Sequence, residues 1–354
     1  MRTGVRSRLL LSALLLSLTA AACGGGGNKA SDEPSDPLDR ISTEPGERAV
    51  QITGAGKIHL FGTFAIPDAA SGASVPGALI IPTAGLGDRD GLIGVGGVPD
   101  PVAKEIAQSL SRAGVASYRY DRRGLAESKM DPDIRLSVDD LVTDAKAGVD
   151  LLAQRKETAG KPLSLVAYDS GGLIALRLAA SDDRIKRVVL IASPGATLAD
   201  VHAAQLTAAN GAASGDALRA TVADLIATRS LPPPASLRSE LRPMFPREEA
   251  NFLADLYAID PTVDAAKLKA TVLILVPADS AAYAPQRLAA AVPNRAAQIA
   301  TTVGGPTMSI DAAPVSVNPN DPALHNNGMA GPVAAATRDA AALGKITGFL
   351  SAAP

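Results

Sequence analysis

From GALIIPT at residue 77 onward, the chain alternates short apolar runs with longer segments of helical spacing. GALIIPT, VASYRY, LSLVAY (163–168), RVVLIA, TVLILV and AAQIATTV have the length and apolar content of buried strands. DPVAKEIAQSLSRAG carries Val102, Ile106 and Leu110 at helical spacing and stops at Gly114; SVDDLVTDAKAGVDLLAQ opens on Ser137 as a cap, with Asp140 three residues on. A helix over 171–181 follows the strand at 163–168, and the chain closes on VAAATRDAAALGKITGFLSAA, also of helical character. Strands joined by helices of this size demand a mostly parallel sheet covered on both faces, an α/β class. Ligands on such a sheet sit at the C-terminal ends of its strands. Upstream, AVQIT and KIHLFGTFAIP flank GAG, a hairpin signal.

With 354 residues, 47% hydrophobic and 20% charged, the chain suits one large α/β domain with an insertion. The insertion is readable. Residues 198 to 268 lack strand character and hold LADVHAAQLTAANG, ALRATVADLIATRS and REEANFLADLYAID, amphipathic helices broken by LPPPAS. They form an expected helical cap over the strand ends. The net charge is −2 with no basic block, which excludes a nucleic-acid surface. No pattern of ligands implies a metal or a cofactor.

The first residues read as a targeting segment. MRTGVRSR carries three arginines, and the apolar run behind it is too short for a comfortable membrane span. TAAAC then ends at Cys23, the one cysteine of the chain, so no intrachain disulfide is available. This stretch resembles the lipobox of bacterial lipoproteins, with Ala20 where Leu is usual. The resemblance implies removal of residues 1–22, lipidation of Cys23, export and attachment to a lipid membrane. The plainer alternative is a secretory signal that happens to contain a Cys. Residues 23–47, rich in Gly, Pro, Ser and acids, read as a flexible tether, with the folded domain over 48–354.

Three motifs carry a wider likeness. GLGDRDG (85–91), YRYDRRGLAES (118–128) and LVAYDSGG (165–172) stand in order and at the right spacing. Together they resemble the serine aminopeptidase-like and acyl-esterase branch of the α/β-hydrolase fold. In that family LVAYDSGG is the strained strand-to-helix elbow of the nucleophile, crowded enough to require small residues two before and two after the apex. Ala167 and Gly171 meet that demand, but the apex is Asp169 instead of Ser. Tyr168 and Ser170 flank the apex as pocket candidates. Ser170 falls where the family uses a backbone N–H as oxyanion donor, with its side chain expected to point away. Thr83-Ala84-Gly85 replaces the family's Gly-Ser-Gly, and the Ala84 N–H remains an oxyanion candidate. The acid position falls on Asp279, in LILVPADS; the His position falls on Thr307, in TVGGPTMSI. Of the three histidines, His59 lies in the hairpin, His202 opens the cap, and His325, in NPNDPALHNNG, is left as a base that folds back or as a solvated loop residue. Asp88, Arg89, Asp121 and Arg122 read as a structural charge network beneath the site.

An Asp apex also resembles haloalkane dehalogenases and epoxide hydrolases of this fold, in which the carboxylate attacks an alkyl carbon. The former hold halide with Trp, absent here; the latter use cap tyrosines, and this cap has only Tyr257. Two readings follow. One is a lipid-anchored protein with a degraded triad and a pocket that binds a small ligand. The other is a working hydrolase using Asp169, Asp279 and His325 on a small ester, epoxide or related substrate.

Overall fold

The computed structural model describes residues 46–67, 72–85, 88–91, 101–131, 133–277, 281–302 and 340–352. Among these, eight strands form one sheet: β1 (Glu47–Thr53), β2 (His59–Ala65), β3 (Gly77–Ile81), β4 (Ala116–Tyr120), β5 (Leu163–Tyr168), β6 (Ile185–Ile191), β7 (Thr271–Pro277) and β8 (Ala297–Thr302). They lie side by side in the order β1-β2-β4-β3-β5-β6-β7-β8. The hairpin expected around GAG joins β1 to β2, and β2 runs antiparallel beside β4. Every pair from β4 through β8 is parallel. The helical segments between the runs supply the crossovers that parallel neighbours require.

Strand alternation divides the core in two. Leu79 and Ile81 of β3, with Leu165 and Ala167 of β5, face α2 (Val138–Gln154), α3 (Gly171–Ala179) and α8 (Pro285–Ala291). Ala78 and Ile80, with Val166 and Val189, face α1 (Val102–Arg112) and α9 (Ala340–Ser351). Each of these Leu, Ile and Val side chains is buried, a contribution of about 1.5–3 kcal/mol apiece. A one-residue slip would exchange the two faces, so this burial also fixes the register. The helix ends follow the sequence signals. Ser137 Oγ accepts from the Asp140 N–H at 3.1 Å, and the chain leaves α1 through Gly114 at φ +77°, a left-handed conformation that favours glycine.

Between β6 and β7 the chain builds the cap from α4 (Leu198–Asn210), α5 (Ala212–Thr228), α6 (Ala250–Tyr257) and α7 (Pro261–Ala265). The prolines of LPPPAS lie between α5 and α6, at a short 3-10 turn over Pro234–Ser236. Leu206, Leu218, Leu225, Phe252 and Leu253 join the apolar cluster that holds α2 and α3. The cap therefore shares the core of the sheet. Four positions named from the sequence, Cys23, Asp279, Thr307 and His325, lie outside the described residues, as do the segments 1–22 and 23–45.

Candidate active-site elbow and pocket

β5 ends at Tyr168 and α3 starts at Gly171, so the chain reverses within two residues. Asp169 makes that possible by taking φ +51°. A non-glycine residue held in the left-handed region costs on the order of 1–3 kcal/mol, with Asp among the more tolerant side chains. The turn is pinned on both sides. The Asp169 N–H donates to the Ile191 carbonyl of β6 at 2.9 Å, and the Gly172 N–H donates to the Asp169 carbonyl at 3.0 Å. A β-carbon on Gly171 would stand 2.5 Å from the Pro82 carbonyl oxygen, and backbone has nowhere to go. The small residues around the apex are thus a steric requirement.

The Asp169 side chain is half-buried and enters a compact polar knot. Thr83 Oγ1 donates to its Oδ2 at 2.8 Å, and Ser170 Oγ approaches the same oxygen at 3.1 Å. The two hydroxyls also touch each other at 2.7 Å. Two hydroxyl protons serve three contacts, so the hydroxyls act as one rotor pair. Ser170 does not point away as expected. Its Oγ turns into the β3 loop and accepts the Ala84 N–H at 3.1 Å. The Ala84 N–H, one of the sequence candidates for an oxyanion donor, is therefore occupied by the protein's own hydroxyl. The physical reason is local: a carboxylate at the apex draws nearby O–H donors toward it.

Tyr168 also departs from its expected place. It is fully buried in the cluster beneath α1 and α9, not in the pocket. Strand alternation puts it on the opposite side from Ala167.

From the cap, two residues reach toward the apex. His202 of α4 and Tyr257 of α6 meet at 3.0 Å between Nδ1 and the phenol oxygen. Phe245 stacks on Tyr257, ring centres 5.8 Å apart. The negative charge of Asp169 acts on both cap residues. Burial pushes the His202 pKa down and the Asp169 charge pulls it up; burial wins, so the imidazole is neutral at pH 7. Burial, helped by the same charge, raises the Tyr257 pKa and keeps its proton on. Sequence position alone set His202 aside, since the family's His follows the last strand. A usable signal was present: Leu198, His202 and Leu206 repeat at i, i+4, i+8 on one helix face.

Residues 102–272 match the family model of serine aminopeptidase, S33. Over 131 residues the chain is 28% identical to the esterase EstD of Thermotoga maritima, covering 37% of this chain and 30% of that protein. The match thus spans under a third of that esterase's length. Among solved structures, a hypothetical protein of Pseudomonas aeruginosa superposes with a TM-score of 0.52 at 14% identity, over 73% of this chain and 86% of that one. A Pyrococcus furiosus esterase gives 0.50 at 14%, over 72% and 81%. The chain is an α/β-hydrolase-fold protein.

In this α/β-hydrolase fold, the loops after β3 and β4 carry the remaining charged residues. Arg89 grips Asp121 through Nε to Oδ1 at 2.9 Å and Nη2 to Oδ2 at 2.5 Å, and also pairs with Glu127. Among the described residues Asp88 takes no ionic partner. Its Oδ1 accepts the Asp90 and Gly91 N–H groups at 2.9 and 2.8 Å, closing the turn. Arg123, which sequence reading passed over, clamps Asp144 of α2 at 2.6 and 2.5 Å, and Asp144 also accepts the Ala55 N–H. Arg122 does not belong to this network, contrary to the sequence expectation. Successive residues of the loop point in different directions, and Arg123 is the one that meets Asp144.

Proposed function

We propose that this is an exported, lipid-anchored member of the esterase-like hydrolases whose pocket binds a small ligand and does not turn over ordinary esters or aminoacyl amides. Membership of the hydrolase group rests on the family match and the esterase relative. The loss of acyl transfer rests on one observation: Asp169 holds the apex while Ser170 takes up the Ala84 N–H. A carboxylate attacking an ester yields a mixed anhydride and gains little. Acyl transfer also needs free donors where the oxyanion forms. Export and anchoring rest on the arginine-led apolar run ending at Cys23. Hydrolysis of p-nitrophenyl esters by the wild type tests the first claim. Robust turnover that disappears in Asp169→Asn would overturn it. Mass spectrometry of the mature N-terminus tests the second; an unlipidated end at another residue would refute it.

The cap pair favours a second reading. Asp169 attacks an epoxide carbon, the C–O bond breaks, and the departing oxygen takes the Tyr257 proton. Water assisted by a His then cleaves the alkyl ester and returns the proton. The sequence offers Asp279 and His325 for that step; among the described residues His202 is the base nearest to hand. Epoxide turnover lost in both Asp169→Asn and Tyr257→Phe would establish this reading.

A further inference from the structure

Arg122 is buried, 6% exposed, at the C-terminal end of β4. Among the described residues its side chain makes no hydrogen bond or ion pair, and its Nε is enclosed without an acceptor. The carboxyl facing it comes from the cap: Glu249, on the turn that leads into α6, whose Oε2 is also enclosed without a donor. An arginine left unpaired inside a protein is costly unless something else arrives to pair with it.

α6 links this spot to the elbow. Glu249 stands at its first end near Arg122, and Tyr257 at its last end near Asp169. Eight residues of helix span about 12 Å. Below, β4 and β5 flank β3, a separation of about 10 Å. The helix thus runs from a cationic end at Arg122 to an acceptor end at Asp169.

We propose that Arg122 is the anchor for a ligand carboxylate, with the Glu249 carboxyl as its competitor in the empty protein. This rests on the reading of the pocket as a binding site. Behind Arg122, Arg123 is neutralised by Asp144. Asp140 also lies 3.4 Å from Arg123. Among the described residues neither acid is in contact with Arg122, so with Glu249 protonated the Arg122 guanidinium is open to a monoanion. Burial raises the Glu249 pKa to about 7; the Arg122 charge opposes that rise and the Glu248 charge adds to it. Below that pH Glu249 is neutral and leaves the guanidinium to the ligand. Above it, the ionised cap carboxylate occupies the same partner.

Calorimetric titration of the full chain with octanoate, and with octanol and inorganic phosphate as controls, tests the assignment. Octanoate binds, and Arg122→Gln weakens it by at least about tenfold, as expected for removing one partner of an enclosed charge pair. Octanol is indifferent to that change. At pH 6, where Glu249 is protonated, Arg122→Gln melts no lower than the wild type, because it removes an unpaired charge; a scaffold arginine would give the opposite. Octanoate affinity falls by about tenfold from pH 6 to pH 8 in the wild type and stays level in Glu249→Gln. Failure of octanoate to bind, equal binding by Arg122→Gln, or tighter Arg122-dependent binding of phosphate would each overturn the proposal. Ester turnover by the wild type would sink the binding-only reading and leave this one standing.

Discussion

Arg122 and Arg123 are neighbours in one loop and both are buried, yet their surroundings are opposites. Arg123 meets Asp144 face to face, and Asp144 in turn ties down Ala55 of the hairpin. Arg122 meets a half-enclosed carboxyl that has no donor of its own. The same division runs through the whole set of strand ends. Arg89 with Asp121, which ties the β3 loop to the β4 loop, and Arg119 of β4 with Glu47 of β1 at 2.8 Å, are matched pairs. Asp169 and Arg122, beneath the cap, and Glu249, on it, have no ionic partner in contact among the described residues. Matched charges build the scaffold, and unmatched ones mark where a ligand is expected.

Three substitutions press on that contrast. The largest effect belongs to the matched side. Asp144→Ala leaves Arg123 enclosed with only the longer Asp140 contact at 3.4 Å and should cost about 3 kcal/mol in urea unfolding. A loss below about 1 kcal/mol would erase the distinction between the two arginines.

Next comes Glu249→Gln, on the unmatched side. The folded pKa of about 7 lies above the ordinary 4.5, so the folded state holds the proton more tightly than the unfolded chain. Wild-type stability therefore declines as pH rises from 4.5 towards 7, and the full penalty applies above that. The variant should flatten this slope and exceed the wild type at pH 8 by about 1–3 kcal/mol. Parallel stability curves for the two proteins would show that Glu249 is ordinarily solvated.

The smallest effect is at the elbow. Ser170→Ala removes one hydroxyl from the knot and frees the Ala84 N–H, for a loss of about 1 kcal/mol. Chemical shift of the Ala84 amide in a proton–nitrogen spectrum reports its release directly. An unmoved resonance would mean that Ser170 does not occupy it.

Much of the fold was legible because it follows from short-range rules. Strand runs and helical spacing gave the parallel sheet, Ser137 and Gly114 marked helix ends, and Ala167 and Gly171 marked the elbow. The site was less legible because its decisive features are long-range. Arg122 and Arg123 are indistinguishable as sequence neighbours; the difference is made by Asp144 on α2, which only one of them reaches. Ser170 was expected to face away because the rule for its position assumes a hydroxyl apex, and the Asp169 carboxylate changes which way donors turn. His202 was invisible to a rule that seeks a histidine after the last strand, since the cap folds back over the sheet and brings α4 to the apex from above.

The start of α3 directly behind Asp169 has an electrostatic consequence. The unpaired N–H groups of a helix's first turn carry partial positive charge, and a nearby anion is favoured by about 0.3–1 kcal/mol. Acyl-transfer enzymes of this fold direct such donors at a negative charge that exists only during reaction. Here a carboxylate sits there at rest. On the proposed binding reading, the Asp169 carboxylate, held by the Thr83 and Ser170 hydroxyls, keeps a resting negative charge beside this helix end. On that same reading, the charge at this turn stabilises the folded protein at rest rather than a reacting species.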